Sequence, residues 1–450
     1  MKQLFGTDGI RGKANQYPMT PELALKLGKA VAIRFATGES RPRIVIGKDT
    51  RLSGYMLETA LTSGLVAMGA DVLLVGPMPT PAISHLTRSL NADAGIMISA
   101  SHNHAEDNGI KIFDSKGYKL FDEDEEEIEK IIFSEKMESG RLNGKHIGKA
   151  FRINDAQGRY IEFAKASIGN ISLRGIKAVV DCANGAAYRV APQIFSELGV
   201  EIMPINHEPD GLNINLNCGA TDVRHLKKKV LDSKADLGVA LDGDADRVII
   251  IDSRGNEING DRILAALALD MQDNNELAQS TVVATVMSNA GFEKHLKNNK
   301  LKIVRTSVGD RYVIEEMRKN AFTLGGEQSG HIIFGKYSTT GDGIIAALQI
   351  MRLMKQLGRP VSGLCNSFEL FPQVLVNVKV KEKKPLNEIA SVQKLIDSYS
   401  KKFGDNGRIL VRYSGTENIC RVMIEGTDEN EIKLAAEQIA EKIRGVIGIE

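Results

Sequence analysis

Short runs of consecutive apolar, largely β-branched residues recur along the chain, bounded by Gly, Pro and Asp, at 43–47, 72–76, 96–98, 178–181 and 282–286. Runs this short and this uniformly apolar read as strands covered on both faces. Between them, apolar residues fall at three- and four-residue steps, as at 20–36 and 57–68, which predicts helices with one buried stripe. Thr20, Pro21 and Glu22 supply the cap and acidic first turn of the first of these. Strand and helix therefore alternate, the pattern of an α/β protein. From about residue 368 the pattern changes. The segment VLVNVKV (374–380) alternates with period two, a charged helical stretch follows Pro385, two strands lie around RILVRYSG and CRVMIEG, and a last helix starts at Asn430. That is the pattern of a small α+β domain.

Four places share one local design, an apolar run that feeds directly into a short loop of Gly, Ser or Asp. They are GIMISASHN (95–103), LGVALDGDADR (237–247), FTLGGEQSGH (322–331) and ILVRYSGTEN (409–418). In open α/β sheets ligands collect at the carboxyl ends of strands, so one such loop per domain would build a single site between several domains. Polar breaks at 144–155 and 252–256 place the domains at 1–154, 155–255, 256–367 and 368–450.

A chain of 450 residues has room for several cores. Its 58 Lys plus Arg against 57 Asp plus Glu leave a formal charge of +1, so no general field draws it to nucleic acid or an anionic membrane. Any anion site must be local. The apolar runs all break before the ~18 residues of a membrane span, and the start MKQLFGTDGIRG has no apolar signal segment, which predicts a cytoplasmic protein. Cys182, Cys218, Cys365 and Cys420 are scattered, as expected of reduced thiols. The acidic run 122–129 reads as a solvated helix face.

Ser101, in I-S-A-S-H-N, stands where a hydroxyl is presented to a ligand or simply caps a turn with Ser99 and Asn103. No G-x-S-x-G elbow surrounds it, and neighbouring His102 is poorly placed as its base, which argues against acyl-hydrolase chemistry. Asp242, Asp244 and Asp246 put three carboxylates at alternate positions, which repel unless a cation neutralises them. Arg247 and Ser253 occupy the positions where an EF-hand needs Gly and Glu. Three carboxylates leave coordination room for a phosphate oxygen, which suits Mg²⁺ in phosphoryl transfer. Removing one of the three should relieve repulsion in the metal-free protein. R-Y-S-G-T-E-N offers Arg412, hydroxyls and backbone amides, with Arg421 close behind, a set suited to a dianionic phosphate. In G-G-E-Q-S-G-H, Glu327 and Ser329 suit vicinal sugar hydroxyls.

Taken in this order, the four loops resemble those of the α-D-phosphohexomutase family, over essentially the whole chain, and FGTDGIRG with GEQSGH resembles its branch acting on amino-sugar phosphates. The resemblance implies that Ser101 carries a phosphoryl group and that Ser101, Asp242, Asp244 and Asp246 hold Mg²⁺. It implies that Arg247, Glu327 and Ser329 bind the sugar, and that Arg412, Ser414, Gly415, Thr416 and Arg421 bind the non-reacting phosphate. Arg11, His102, Lys111 and His331 match reacting-phosphate and acid/base positions of the family. Three positions depart from its pattern, with His104 and Asn418 where Pro is common and Ser307 where many members have Lys. Pattern and resemblance together give the fold class, α/β, as three similar α/β domains with mixed sheets plus a smaller C-terminal α+β domain around one central cleft.

The implied reaction interconverts glucosamine 6-phosphate and glucosamine 1-phosphate through glucosamine 1,6-bisphosphate, and supplies amino-sugar nucleotide (UDP-N-acetylglucosamine) synthesis. The partner is then a hexosamine phosphate, with no nucleic acid or membrane, and a homodimer is compatible with the branch. A phosphomannomutase or phosphoglucomutase is the alternative within the family. Outside that chemistry stand a silent sugar-phosphate binder, which intact Ser101 and three aspartates argue against, and a phosphatase, which has no use for a second phosphate cradle.

Overall fold

A computed structural model of the protein describes residues 3–6, 8–36, 40–134, 142–414 and 418–449. The first sheet holds β1 (Phe5–Gly6), β2 (Gly9–Lys13), β3 (Arg43–Lys48), β4 (Asp71–Pro77), β5 (Ala94–Ile98), β6 (Asp107–Asp114) and β7 (Ala150–Arg152), in the order 1-2-6-5-3-4-7. The second holds β8 (Lys177–Asp181), β9 (Glu201–Ile205), β10 (Leu237–Leu241), β11 (Val248–Asp252) and β12 (Glu257–Ile258), in the order 12-11-10-8-9. The third holds β13 (Thr281–Thr285), β14 (Lys302–Thr306), β15 (Leu324–Gly326) and β16 (Ile332–Phe334), in the order 14-13-15-16. The fourth, of β17 (Gln373–Lys379), β18 (Gly407–Tyr413) and β19 (Ile419–Gly426), is antiparallel in the order 17-19-18.

The three larger sheets repeat one plan. Strands β3, β4 and β5, then β8, β9 and β10, then β13 and β15, run parallel, as strands joined through helices must. The last of each set then turns back on an antiparallel partner: β5 on β6, β10 on β11, β15 on β16. In the fourth sheet β18 turns back on β19. Each of the four polar loops read from the sequence is the connection of one of these hairpins. Backbone pairing on both sides thus fixes where every loop begins and ends.

In the first domain, helix Pro21–Phe35 is capped by Thr20, whose hydroxyl accepts from the Leu23 N–H. It buries Leu23, Ala24, Leu27, Ala30 and Val31. It crosses helix Ser53–Ala67 at two reciprocal glycines: a Cβ on Gly28 would stand 2.4 Å from the Leu61 carbonyl oxygen, and one on Gly64 2.2 Å from that of Leu25. The acidic run forms helix Asp122–Ile132, but it is not wholly the solvated face expected. Glu129 is buried and accepts from the N–H groups of Gln3, Leu4 and Phe5, and buried Glu125 pairs with Arg311. Two members of the run are internal because they terminate backbone and guanidinium donors of distant segments.

The chain divides into two compact units, residues 1–287 with 303–366 and residues 288–302 with 367–450. In the second unit, helices Ala390–Phe403 and Glu429–Ile447 contribute Val392, Ile432, Ala436, Ile439 and Ile443 to a core with Val378, Val422 and Ile424 of the sheet. Among the described residues, no helix is long and apolar enough to cross a membrane. All four cysteines are buried free thiols.

Candidate active site

The first loop leaves β5 and carries Ser101, buried and in the left-handed region at φ 50°. Its N–H donates to Ser99 Oγ at 2.9 Å, and its Oγ donates to Asp242 Oδ2 at 2.7 Å, which joins the first loop to the second. His102 Nδ1 lies 3.4 Å from the same Oγ. Burial, with Arg247 and Arg11 nearby, pulls its imidazole down to about 4, so it is neutral at pH 7.

Asp242, Asp244 and Asp246 follow β10 at alternate positions of one short loop, with Ala245 at φ 57° allowing the sharp bend. All three are buried, and each offers an oxygen within 4.8 Å of the others. Burial and then its two neighbours push the Asp242 carboxyl well above the ordinary range. Burial also raises Asp244, but the Lys111 ammonium and the Thr80 and Lys111 hydrogen bonds outweigh it and hold the carboxyl below that range. Asp244 Oδ1 and Asp246 Oδ1 are buried with no hydrogen-bond partner among the described residues. Three converging carboxylates with unused oxygens suit a small, hard divalent cation.

Lys111, on β6, sits among these acids with Nζ 2.9 Å from Asp244 Oδ2, 3.3 Å from Asp8 Oδ2 and 3.5 Å from Asp246 Oδ2. Burial lowers its pKa, but the three carboxylates raise it further, above its ordinary value. It stands as an ammonium that offsets part of the repulsion expected among the aspartates. The chain of charges continues outward. Asp8 also pairs with Arg11, and Lys119 Nζ bridges Asp8 Oδ1 and Asp310 Oδ2 at 2.6 Å each. Asp310 Oδ2 lies 3.4 Å from His331 Nε2. That nitrogen accepts from the Gly341 N–H at 3.1 Å, which leaves the imidazole proton on Nδ1, 3.9 Å from Asp246 Oδ1.

The third loop, between β15 and β16, is held by β11 of the second domain and by the start of helix Gly260–Asp273 in its own. Val248 N–H donates to the Gly330 carbonyl and Gly260 N–H to that of Gln328, both at 3.0 Å. A Cβ on Gly330, at φ 92°, would stand 2.1 Å from the Val248 carbonyl oxygen, so only glycine closes this turn. Glu327 is buried and accepts from the Gly309 N–H at 3.0 Å, while Ser329 is exposed. Ser329, Gln328, Arg247, Asp242 and His102 line a cavity of about 410 Å³, joined by Thr221, Glu257 and Asn259.

The fourth loop belongs to the second unit. Arg412 and Arg421 are direct cross-strand partners of β18 and β19, which puts both side chains on the same side of the sheet. Burial and then Arg421 lower the Arg412 pKa. Ser414 is buried, and Lys383 Nζ donates to its carbonyl at 2.7 Å. Gly415 and Thr416 lie outside the described residues.

Within the first unit the structure brings together Ser101, His102, Lys111, Arg11, the three aspartates, Arg247 and His331. It adds Asp8, Thr80, Lys119 and Asp310, which the sequence reading did not single out. Thr80 donates to Asp244 Oδ2 at 2.6 Å from the start of its helix. Asp8 sits within FGTDGIRG, and that motif was the available signal; the other three have none, because they meet the site from separate segments.

Four family models for phosphoglucomutase/phosphomannomutase cover the chain: alpha/beta/alpha domain I on residues 2–139, domain II on 158–255, domain III on 259–371 and the C-terminal domain on 375–442. With its serine, acidic and arginine hairpins, the chain belongs to this family, the α-D-phosphohexomutases. Curated relatives named phosphoglucosamine mutase match it throughout. Those of Citrifermentans bemidjiense and Geobacter metallireducens are each 52% identical, across 100% of this chain and 99% and 100% of theirs. Among solved structures, a phosphoglucomutase/phosphomannomutase family protein of Burkholderia thailandensis has the same fold, with TM-score 0.81 at 23% identity over 99% of both chains. So does an N-acetylphosphoglucosamine mutase of Aspergillus fumigatus, solved with GlcNAc-6P and magnesium, with TM-score 0.66 at 20% identity over 98% of this chain and 96% of that one.

Proposed function

We propose that the protein interconverts glucosamine 6-phosphate and glucosamine 1-phosphate by way of glucosamine 1,6-bisphosphate. The observation that carries this is the full-length similarity to relatives bearing the name phosphoglucosamine mutase, on a chain that keeps Ser101 against Asp242. In the forward half-cycle the phosphoryl group leaves the Ser101 Oγ as that P–O bond breaks, and a new P–O bond forms to the free sugar hydroxyl. The hydroxyl proton ends on Ser101. The bisphosphate then turns over, and its other phosphate returns to Ser101 by the reverse steps.

In this reading Asp242, Asp244, Asp246 and the seryl phosphate hold Mg²⁺. When bound, the cation offsets negative charge on the transferring group. Arg11 and Arg247 steady the reacting phosphate and sugar. Lys111 Nζ and His331 Nδ1 are the proton-bearing atoms beside the aspartates, and one of them is assigned to give its proton to the Ser101 oxygen as the P–O bond breaks and to regain the proton of the attacking hydroxyl. Glu327 and Ser329 grip sugar hydroxyls. Arg412, Arg421, Ser414, Gly415 and Thr416 hold the phosphate that is not reacting, a role that two arginines on one side of the hairpin suit by their charge and forked donors. The domains retain the proposed limits 1–154, 155–255, 256–367 and 368–450, and the protein is placed in the cytoplasm.

Side-by-side coupled assays with glucosamine, glucose and mannose phosphates test the substrate. The specificity constant for glucosamine phosphate should exceed the others at least tenfold, about 1.4 kcal/mol of differential transition-state binding. Equal or better turnover of glucose or mannose phosphate would make the protein a phosphoglucomutase or phosphomannomutase. Peptide mass spectrometry should find phosphoserine at Ser101, and Ser101→Ala should be inactive.

A further inference from the structure

Arg51 and Asn215 touch neither the acids nor the cavity, yet both end on the serine loop. Arg51 lies just after β3, is wholly buried, and directs four donor contacts at backbone carbonyls. Its Nη2 donates to the Ser101 oxygen at 3.0 Å and the Asn103 oxygen at 2.8 Å, and its Nη1 to Asp107 at 3.0 Å and to His104. Asp49 holds the guanidinium at Nε, 2.8 Å away, and also accepts from Ser99 Oγ at 2.6 Å, the same hydroxyl that receives the Ser101 N–H. Asn215 comes from the second domain, between β9 and β10. Its Nδ2 donates to the same two carbonyls, Ser101 at 2.8 Å and Asn103 at 2.9 Å.

The Asn215 amide can have only this orientation, since the flipped one would set its oxygen against two carbonyl oxygens. Its Oδ1 is left buried without a hydrogen-bond partner among the described residues, a cost that a residue serving only to fill space would not carry. The metal loop closes over the same point: a Cβ on Gly243 would stand 2.6 Å from the Ser101 oxygen and 2.7 Å from Asn215 Nδ2. Ser101 itself sits at φ 50°, a conformation a non-glycine residue keeps only when its surroundings impose it.

We propose that Arg51 and Asn215 are positioning residues, a two-domain clamp on the Ser101 and Asn103 carbonyls that holds Ser101 in its left-handed conformation with Oγ aimed at the metal loop. The inference rests on the reading of Ser101 as the phosphoryl carrier. Because neither side chain lines the cavity, weakening the clamp should misplace the reacting oxygen and leave sugar binding alone.

The test uses full-length Asn215→Ala and Arg51→Lys, with kcat and KM for glucosamine 1-phosphate, amide hydrogen exchange over residues 101–107, and thermal melting. The expected result is a kcat lower by about tenfold to a hundredfold with KM within about twofold, and faster exchange at 101–107 in protein that still melts cooperatively. Unchanged kcat in Asn215→Ala overturns the proposal. So does a loss of kcat that only tracks the fraction unfolded, which would make both residues purely structural. If Arg51→Lys does not fold, Asn215→Ala decides. Wild-type protein without phosphoserine or mutase turnover would fail the functional reading instead, and the exchange measurement would still judge the clamp.

Discussion

Lys111 changes what each aspartate substitution should do. Repulsion among three carboxylates alone would make every Asp→Asn change neutral or stabilising without metal. The ammonium at 2.9 Å from Asp244 makes the three inequivalent. Asp242, whose carboxyl is disfavoured as an anion by burial and by its neighbours, should tolerate Asn with an unchanged or higher melting temperature in chelator. Asp244→Asn takes a charged partner from buried Lys111 and should cost at least about 1 kcal/mol under the same conditions. Both variants should lose turnover by orders of magnitude, measured with saturating Mg²⁺. Melting curves in which the two variants behave alike would show that Lys111 does not discriminate among the acids, and full wild-type activity in chelator would remove the metal from the reaction.

At the scale of elements, the first-domain helix pair depends on two glycines rather than on its apolar stripes alone. Gly28→Ala or Gly64→Ala puts a methyl against a backbone carbonyl of the opposing helix and should destabilise by about 1–3 kcal/mol, read from denaturant midpoints. A second effect concerns helix Thr80–Ser89, where His85 stacks on Phe163 with ring centroids 3.9 Å apart. Burial, then Arg88 and Arg159, pull its folded pKa from 6.5 to about 4. The unfolded chain therefore binds this proton first, so stability is intact at pH 7 and falls as pH drops from about 6.5 toward 4. His85→Gln should flatten that part of the pH–stability curve, and an unchanged slope would assign it to other groups. The four hairpin loops were legible in the sequence because each has its chemistry and its strand in one contiguous stretch. Lys119, Asp310, Thr80 and Asn215 were not, because each is tied to the site by a partner more than a hundred residues away. Arg51 was legible in principle: K-D-T-R follows an apolar strand just as the four loops do, but without a glycine or a carboxylate cluster to mark it. The glycines at 28 and 64 resemble ordinary helix weaknesses until the opposing helix is in place.

At the scale of the whole molecule, the second unit draws helix Ala290–Asn298 away from its sequence neighbours. The Ala290 N–H donates to Glu425 Oε2 at 3.0 Å, Arg408 donates to the Ser288 carbonyl at 3.0 Å, and the Asn289 amide exchanges two hydrogen bonds with the backbone of Phe371. In native-state hydrogen exchange this helix should therefore open together with residues 367–450, and protection that instead follows the sheet of β13 to β16 would break the grouping. The cross-strand arginines give this unit a further property. Arg412 and Arg421 set two like charges directly opposite one another across the hairpin that carries them, a repulsion felt most at low ionic strength, where it is least screened. Any phosphorylated sugar that binds there is then also a folding ligand for the C-terminal sheet, adding stability in proportion to the logarithm of its concentration above its dissociation constant. Substrate would then lengthen the life of this unit against proteolysis in step with its occupancy of the sheet, a protection read as slower cleavage when sugar phosphate is added.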